Sequence, residues 1–293
     1  MSYHKPHYKK YSLANLAPTI LSHLGTKSKN ILNDNLIQTS LDGCQSVVLI
    51  LIDGLCFNLI KNSLHNQLLD KLYHNNVVIP ITSTFPSTTS TALSTVNTGM
   101  TPQHHGIIGH TMYLRKYGTI ANMVNFSPES DRNSSRLAKF GFDPETFLPN
   151  NTLYQSLSDI DVKSKVLTRW IYKKSALSRM LHKGSDVLPY VNSSDMFLNL
   201  SKLVNKKTPF TFVYWDALDS ASHVYGPFTP EVQSELRNIL FGLLNEFIKN
   251  IKTQYRNKVC IFITGDHGLV QVNKTGRLFT NAIPKFLDNL QAS

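Results

Sequence analysis

A continuous apolar run, SVVLILI at residues 46–52, constrains the fold of this chain more than any other feature of its sequence. Every residue after the initial serine is apolar, and the run ends abruptly at Asp53. A strand with one solvent face would carry polar residues at every second position, whereas this run predicts a strand buried on both faces of a parallel sheet. Because such a sheet needs helices against both faces, the run favours an α/β fold.

Further segments alternate between strand-like and helix-like patterns. Apolar runs predict additional strands at 77–81, 209–215 and 258–264. Helical spacing of apolar residues, or helix-length spans with a terminal glycine, predict helices at 55–72, 89–97 and 232–251. This alternation is typical of a mostly parallel β-sheet sandwiched by helices.

The length and composition fit one large globular domain. The chain has 293 residues, of which 41% are hydrophobic and 17% charged, with no internal repeats. We therefore expect residues 1–293 to form a single domain. Residues 127–151 are rich in Ser, Asn, Pro and Asp, and we interpret 127–207 as loop with a small cap or insertion within the domain.

Cysteine spacing and hydropathy bear on the cellular compartment. The three cysteines, Cys44, Cys56 and Cys260, form no CxxC pair, so a disulfide framework or a cysteine-based zinc site is not expected. No apolar run approaches the roughly 18–20 residues of a membrane span, and the first ten residues lack the apolar stretch of a signal peptide. These features predict a cytoplasmic protein without a membrane partner.

The chain is basic, with 30 Lys and Arg residues against 19 Asp and Glu residues and a net charge of +11. Such an excess suits phosphate-bearing substrates or nucleic acid, but also an ordinary Lys-rich surface. The densest basic segment, which also contains Trp170 and Tyr172, comprises Arg169, Lys173, Lys174, Arg179, His182 and Lys183. No nucleic-acid-binding motif accompanies this basic segment, so a solvated surface is the stronger interpretation.

Acidic and histidine residues follow three predicted strands, at the place where open α/β sheets bind ligands. Asp53 ends the first strand, Asp219 and His223 stand one helical turn apart after another, and Asp266 and His267 follow the last. Carboxylates and imidazoles together suit Zn²⁺. Taken singly, each motif also fits helix capping or a surface Asp–His pair, and Asp216 competes with Asp219 for the ligand role.

A hydroxyl-rich segment, FPSTTSTALSTVNTG, places eight Ser or Thr residues within 87–98. Hydroxyls at a helix start are common caps, but the same position offers free N–H groups and a positive dipole end to a phosphate. A hydroxyl at that position, beside a metal, becomes a nucleophile.

Taken in order, these motifs resemble the alkaline phosphatase superfamily, and within it the type I phosphodiesterase/nucleotide pyrophosphatase family. The segments that carry the resemblance are LILIDG, FPSTT with HHGIIGH, DSASHVYGP and TGDHG, which span about 47–269. The resemblance implies an alkaline-phosphatase-like domain. It also implies a hydrolase of phosphodiester or pyrophosphate bonds in nucleotide-type substrates, acting through a covalent phospho-threonine intermediate.

The resemblance further implies two divalent metal ions, Zn²⁺ with Mn²⁺ as the alternative. One ion would be held by Asp53, Asp266, His267 and the Thr89 oxygen, and the other by Asp219 and His223. Thr89, ten positions before Gly99, would be the nucleophile, with Thr88 and Thr84 as alternatives. His110 stands where relatives often carry an Asn that contacts the phosphoryl group.

The resemblance fails at one ligand. The family supplies a further His to the second ion, but the 26 residues after His267 contain no histidine. Three explanations remain: a truncated product of a longer gene, which we favour, a substitute such as Asp216 or His110, or a degenerate relative. We expect weak metal affinity at the Asp219–His223 ion, and tight binding of two zinc ions per chain would contradict this.

Four functions therefore remain open from the sequence. The first is the phosphodiesterase or pyrophosphatase, and the second is a binding-only relative without a complete second metal site. The third is nucleic-acid binding through the basic segment. The fourth is a phosphomonoesterase or phosphonate hydrolase of the same superfamily; a sulfatase signature is absent, and the chain has no room for a mutase insertion.

Overall fold

The computed structural model describes residues 5–32, 35–131 and 133–272. Its strands are β1 Ser46–Ile52, β2 Thr111–Leu114, β3 Thr119–Asn122, β4 Ser127–Pro128, β5 Ser164–Arg169, β6 Asp186–Tyr190, β7 Phe210–Trp215 and β8 Val259–Thr264. Its α-helices are α1 Leu16–His23, α2 Asn35–Leu41, α3 Phe57–Asn62, α4 Gln67–Asn75, α5 Thr89–Thr98, α6 Pro102–His105, α7 Leu153–Ser158, α8 Ala176–Leu181, α9 Ser193–Asn205, α10 Ala217–Tyr225, α11 Pro230–Gly242 and α12 Thr253–Arg256. None of the helices in these ranges is long and apolar enough to cross a bilayer.

Five parallel strands form the central sheet, in the order β6-β5-β7-β1-β8. β1 lies between β7 and β8, and each of its residues is buried. In register, Leu49 pairs with Phe212 on one side and Phe262 on the other. The α/β class and the strand at 46–52, buried on both faces, are thus confirmed.

Helices cover both faces of this sheet. On one face, the side chains of Val47, Leu49 and Leu51 pack into a core with helices α1, α5, α7 and α8. On the other, Val48 and Ile50 pack into a second core with α9 and α11. Successive strand residues point to opposite faces, so a run apolar at every position is what two cores require.

Three predicted elements differ in detail. Residues 77–81 form no strand; the chain there makes a single bridge between Thr82 and Ser12. The helix predicted at 55–72 is two helices, because the Asn66 side chain accepts a hydrogen bond from the Leu68 N–H at 3.0 Å and starts α4 anew. The helix predicted at 232–251 begins as α11 and continues through a π-helical turn, Leu243–Phe247.

The segment 127–207, interpreted from the sequence as loop with a cap or insertion, supplies part of the central sheet. β5 and β6 both come from it, and β5 pairs with β7. β6 lies at the sheet edge, where its first four residues are not buried, so its sequence lacks the continuous apolar run that marks β1. The antiparallel sheet β2-β3-β4 stands apart from these five strands.

Candidate active site

The carboxyl ends of β1, β7 and β8 bring the predicted site residues to one edge of the sheet. Asp53 directly follows β1, Asp219 lies in the first turn of α10 after β7, and Asp266 follows β8 with Gly265 between them. Neighbouring parallel strands end at the same edge, which explains the meeting of residues far apart in sequence. Asp53 and Asp266 are 2% and 1% exposed, respectively.

Three predicted residues meet around the ring of a fourth, His267. Its Nε2 lies 3.5 Å from Asp53 Oδ1, 3.4 Å from Asp266 Oδ2 and 3.2 Å from Thr89 Oγ1. One ligand atom from each of Asp53, Asp266 and His267 falls within 4.8 Å of the other two, close enough to hold one metal ion.

Each buried carboxylate in this cluster has one oxygen held and one free. Asp266 Oδ1 accepts hydrogen bonds from the backbone N–H groups of Gly54 at 3.0 Å and His267 at 2.8 Å, and Asp53 Oδ2 accepts one from the Tyr214 hydroxyl at 2.5 Å. Asp53 Oδ1, Asp266 Oδ2 and Asp219 Oδ1 have no hydrogen-bond partner. Buried oxygens of this kind are rare unless a ligand satisfies them, so the donor set fits a divalent cation.

Glycine is required at the turn that presents Asp266. A Cβ on Gly265 would stand 1.8 Å from the Leu55 carbonyl oxygen, a distance that no side chain allows. The backbone of β8 therefore passes directly against the chain that leaves β1. This contact fixes the distance between the two metal-ligand candidates, Asp53 and Asp266.

Burial and mutual repulsion perturb the acidic groups. Burial, followed by the charges of Asp266 and Asp219, raises the pKa of Asp53 to about 9. Burial also raises the pKa of Asp266 to about 6. Both carboxylates are costly as bare anions, and a bound cation would relieve that cost.

The raised pKa of Asp53 predicts how the stability of the protein depends on pH when a chelator keeps the site free of metal. An unfolded Asp titrates near about 3.9, whereas Asp53 in the folded protein has a pKa of about 9. Between these values the folded state keeps a proton that the unfolded state has lost, so the free energy of unfolding falls as pH rises toward 9. Thermal unfolding in EDTA at pH 6 and pH 8 should show a lower Tm at pH 8.

The control for this experiment is Asp53→Asn, which has the shape of aspartate but no proton to release. We expect its Tm to change less between pH 6 and pH 8 than that of the wild-type protein. Equal pH dependence in the two proteins would contradict the assignment to Asp53.

The second predicted ligand pair is half exposed. Asp219 Oδ2 lies 3.4 Å from His223 Nε2, one turn along α10, but the His223 side chain is 68% exposed. Asp216, named above as a substitute ligand, is already engaged: its carboxylate accepts hydrogen bonds from Arg169 at 3.1 Å and the Tyr172 hydroxyl at 2.6 Å. This geometry disfavours Asp216 as the missing ligand.

His110 lies at the start of the antiparallel sheet and is exposed. Its Nε2 is 2.9 Å from the Nδ2 of Asn122, whose Oδ1 accepts the Val124 N–H at 3.1 Å. Sequence reasoning missed Asn122, which hairpin pairing of β2 with β3 brings opposite Thr111. An asparagine thus contacts His110, and it comes from outside the motif that contains His110.

Of the three threonine candidates, Thr89 is the one that the structure places against His267. Thr88 is the residue before α5, and its hydroxyl is 3.0 Å from that of Thr91. Thr84 donates to the Pro86 carbonyl at 2.9 Å. Thr89 also opens the helix, next to its free N–H groups.

Much of the charge in the basic segment is paired internally. Arg169 contacts Asp216, Arg179 contacts Glu145 at 2.9 Å, and Lys183 donates to the Glu145 carbonyl at 3.1 Å. Paired charges are less available to phosphates, so this geometry does not favour a nucleic-acid face.

A cavity of about 260 Å³ opens beside the cluster. Its wall includes Thr89, Tyr172, Phe212 and Tyr214, so one end of the cavity adjoins the candidate nucleophile. The Tyr172 and Tyr214 rings pack 6.3 Å apart at 53°. The arrangement can seat one apolar or aromatic group next to the Thr89 hydroxyl.

The sheet edge thus carries a hydroxyl beside two buried carboxylates and an imidazole, a donor set that can hold a divalent cation. The model of the type I phosphodiesterase/nucleotide pyrophosphatase family matches residues 47–291. The chain belongs to this family, which confirms the resemblance found in the motifs.

Curated relatives are distant. The bis(5'-adenosyl)-triphosphatases ENPP4 of human and Sumatran orangutan are each 23% identical over 211 residues, which is 66% of this chain and 40% of theirs. The cattle protein of the same name is 23% identical over 214 residues. The chain thus spans about two fifths of the length of the curated relatives it matches.

Solved structures show the same fold. One is an inactive variant of murine ectonucleotide pyrophosphatase/phosphodiesterase 5 in complex with AMP, with a TM-score of 0.61 and 20% identity. The match covers 81% of this chain and 61% of the murine chain. Phosphonoacetate hydrolase from Sinorhizobium meliloti, in complex with phosphonoformate, has a TM-score of 0.53 at 20% identity over 76% of this chain and 56% of its own. These likenesses confirm the parallel sheet flanked by helices.

Proposed function

We propose that this chain is a metal-dependent hydrolase of phosphodiester or pyrophosphate bonds in nucleotide-type substrates. The observation that carries the proposal is the meeting of the Thr89 hydroxyl with His267 and two buried carboxylates, each with an oxygen that lacks a hydrogen-bond partner. A capping role for these residues would not bring them together at one sheet edge.

The ligand set supports divalent ions. Asp53, Asp266 and His267, with the Thr89 oxygen, would hold one ion, and Asp219 with His223 would hold a second. Mixed oxygen and nitrogen donors suit Zn²⁺, with Mn²⁺ as the alternative. When bound, such ions lower the pKa of a hydroxyl and neutralise charge on phosphoryl oxygens.

The residues of this chain supply the nucleophile and its orientation. Thr89 is the first residue of α5, where free N–H groups and the helix dipole favour phosphoryl oxygens. Its Oγ1 would attack phosphorus in line with the departing oxygen, forming a phospho-threonine ester as the bond to the leaving group breaks. Water would then cleave that ester and restore the hydroxyl. We assign His110, together with its partner Asn122, to the phosphoryl oxygens.

Two features support nucleotide-type substrates. The cavity beside Thr89 has aromatic walls suited to a planar ring. The curated relatives are named for hydrolysis of bis(5'-adenosyl) triphosphate, and the murine neighbour holds AMP. The phosphonoacetate hydrolase neighbour supports a phosphonate hydrolase as the second candidate. The exposure of His223, the partner of Asp219, supports a binding-only relative as the third.

Hydrolysis of bis(p-nitrophenyl) phosphate by the purified chain tests the proposal. We expect p-nitrophenol release with added Zn²⁺ or Mn²⁺, none in EDTA, and slower release from p-nitrophenyl phosphate, a monoester. Zinc bound per chain, measured in the same preparation, completes the experiment. Absence of release with metal bound would point to the binding-only relative, and faster cleavage of the monoester or of phosphonoacetate would point to the other hydrolases.

A further inference from the structure

Two of the three cysteines, Cys44 and Cys260, meet at the end of the sheet opposite the candidate active site. Cys44 precedes β1, and Cys260 is the second residue of β8. The backbone N–H of Gln45 donates to the Lys258 carbonyl at 2.8 Å. In register, Val47 pairs with Cys260. The segment that holds Cys44 therefore runs beside β8, although most of the chain separates the two cysteines in sequence.

The two thiols are hydrogen-bond partners. Burial raises the pKa of the Cys44 thiol, and the hydrogen bond from Cys260 partly offsets that rise. Burial, the charge of a Cys44 thiolate and the same hydrogen bond raise the pKa of Cys260 to about 12. A bond with these opposite effects runs from the Cys260 S–H to the Cys44 sulfur. The Cys44 S–H in turn donates to the Ser40 carbonyl at 3.3 Å, so the two sulfur atoms already face each other.

The two cysteines differ in exposure. Cys260 is buried, 9% exposed, in the core that covers one face of the sheet. Cys44 packs at the margin of that core, is only partly buried, and makes its bond to Ser40 at the surface. A buried cysteine alone is ordinary apolar packing. A buried thiol against one nearer to solvent is instead the arrangement of a resolving cysteine beside an attacking cysteine.

We propose that Cys44 and Cys260 form a disulfide bond when the protein meets a small disulfide oxidant, such as oxidised glutathione. The Cys44 thiolate first attacks one sulfur of the oxidant, which forms a mixed disulfide and releases one glutathione thiolate. The Cys260 thiolate then attacks the Cys44 sulfur and releases the second glutathione thiolate. The two protein thiols lose two protons and two electrons in total, and the oxidant takes them up as two molecules of glutathione.

The bond fastens an edge strand to the centre of the sheet. Among the residues that the structure describes, β8 is the outermost strand and pairs with β1 alone. Asp266 and His267 follow β8, and Asp53 follows β1, so both strands carry metal-ligand candidates. A bond between Cys44 and Cys260 closes a loop of most of the chain, and in the chain-entropy account long loops give the largest stabilisation.

Peptide mapping of the full 293-residue chain tests the proposal. The protein is incubated with oxidised glutathione, its remaining thiols are alkylated after denaturation, and the tryptic peptides are identified by mass. We expect one peptide pair that joins Cys44 to Cys260. The third cysteine, Cys56, is the internal control and should be linked to neither. Its sulfur lies at the start of α3, where it accepts the Leu59 N–H at 3.4 Å.

Two serine variants separate the bond from a general effect of the oxidant. Cys56→Ser keeps both partners and should behave like the wild-type protein, whose Tm we expect to rise by about 5 °C or more on oxidation. Cys44→Ser removes the partner nearer to solvent, and we expect no linked peptide and no rise in Tm. Replacement of Cys44 rather than the buried Cys260 leaves the core intact.

Three results would overturn the inference. They are a folded wild-type protein whose Cys44 and Cys260 stay separate in oxidised glutathione, a bond from either residue to Cys56 or to a second chain, and a linked protein with the Tm of the reduced form. These measurements report a covalent bond and a melting temperature. They therefore give the same answer whether or not the chain hydrolyses phosphodiesters.

Discussion

The Thr89→Ala variant should lose hydrolysis of bis(p-nitrophenyl) phosphate by at least about a thousandfold in kcat, a loss typical of a deleted nucleophile. We expect this loss because Thr89 is the first residue of α5 and its hydroxyl lies 3.2 Å from the Nε2 of His267. Removal of this hydroxyl leaves the attacking position empty. Steady-state kinetics with saturating metal, together with the Tm of each variant, provides the measurement.

Thr88→Ala is the matched control. It removes the same group one residue earlier, where the hydroxyl bonds to Thr91 and makes no side-chain cap to α5. We expect Thr88→Ala to retain most of the activity. The reverse result, an active Thr89→Ala and an inactive Thr88→Ala, would move the nucleophile to Thr88.

The Gly265→Ala variant should be destabilised by about 3 kcal/mol or more, the upper range for overpacking, and should lose activity. The added methyl would stand 1.8 Å from the Leu55 carbonyl oxygen, which belongs to backbone and cannot rotate away. Either β8 separates from the chain after β1, or Asp266 leaves its position beside Asp53. Urea unfolding of the two proteins measures the loss.

Gly141→Ala serves as the comparison for this substitution. Gly141 has a φ of +77° but nothing within 4 Å of an added Cβ, so Gly141→Ala reports backbone strain without collision. We expect it to cost about 1 kcal/mol. An equal loss of unfolding free energy in the two variants would show that the backbone after β8 can move away from the Leu55 carbonyl at little cost.

The core of the fold was predictable from the sequence where burial was complete. β1 could be predicted because it is covered on both faces, and the amphipathic helix α11 because one side is apolar. Residues 77–81 were predicted as a strand because their composition is apolar, but no sheet neighbour is available to them apart from the bridge at Thr82. β6 was missed because it is an edge strand with exposed residues, and β5, an inner strand, because Lys165 and Arg169 interrupt its apolar pattern.

In the candidate site, the residues that could be predicted from the sequence are those that stand at the ends of predicted strands. Asp53 directly follows the fully buried β1, and Asp266 and His267 follow β8 after one glycine, so their meeting follows from sheet topology. Tyr214 and Asn122 could not be found in this way. Tyr214 lies inside an apolar strand, where an aromatic residue indicates only core, and Asn122 reaches His110 through hairpin register rather than through sequence proximity.

The position of β1 between β7 and β8 has a consequence for how the protein is made. Gly54 and Asp266, which hydrogen-bond in the finished site, are 212 residues apart along the chain. During synthesis β1, the most apolar strand, leaves the ribosome early. Both of its edges stay unpaired until β7 and finally β8 have been synthesised. A strand in that state is exposed to association with other chains. We therefore expect the nascent chain to depend on chaperones until β8 emerges, and metal binding to report completed folding.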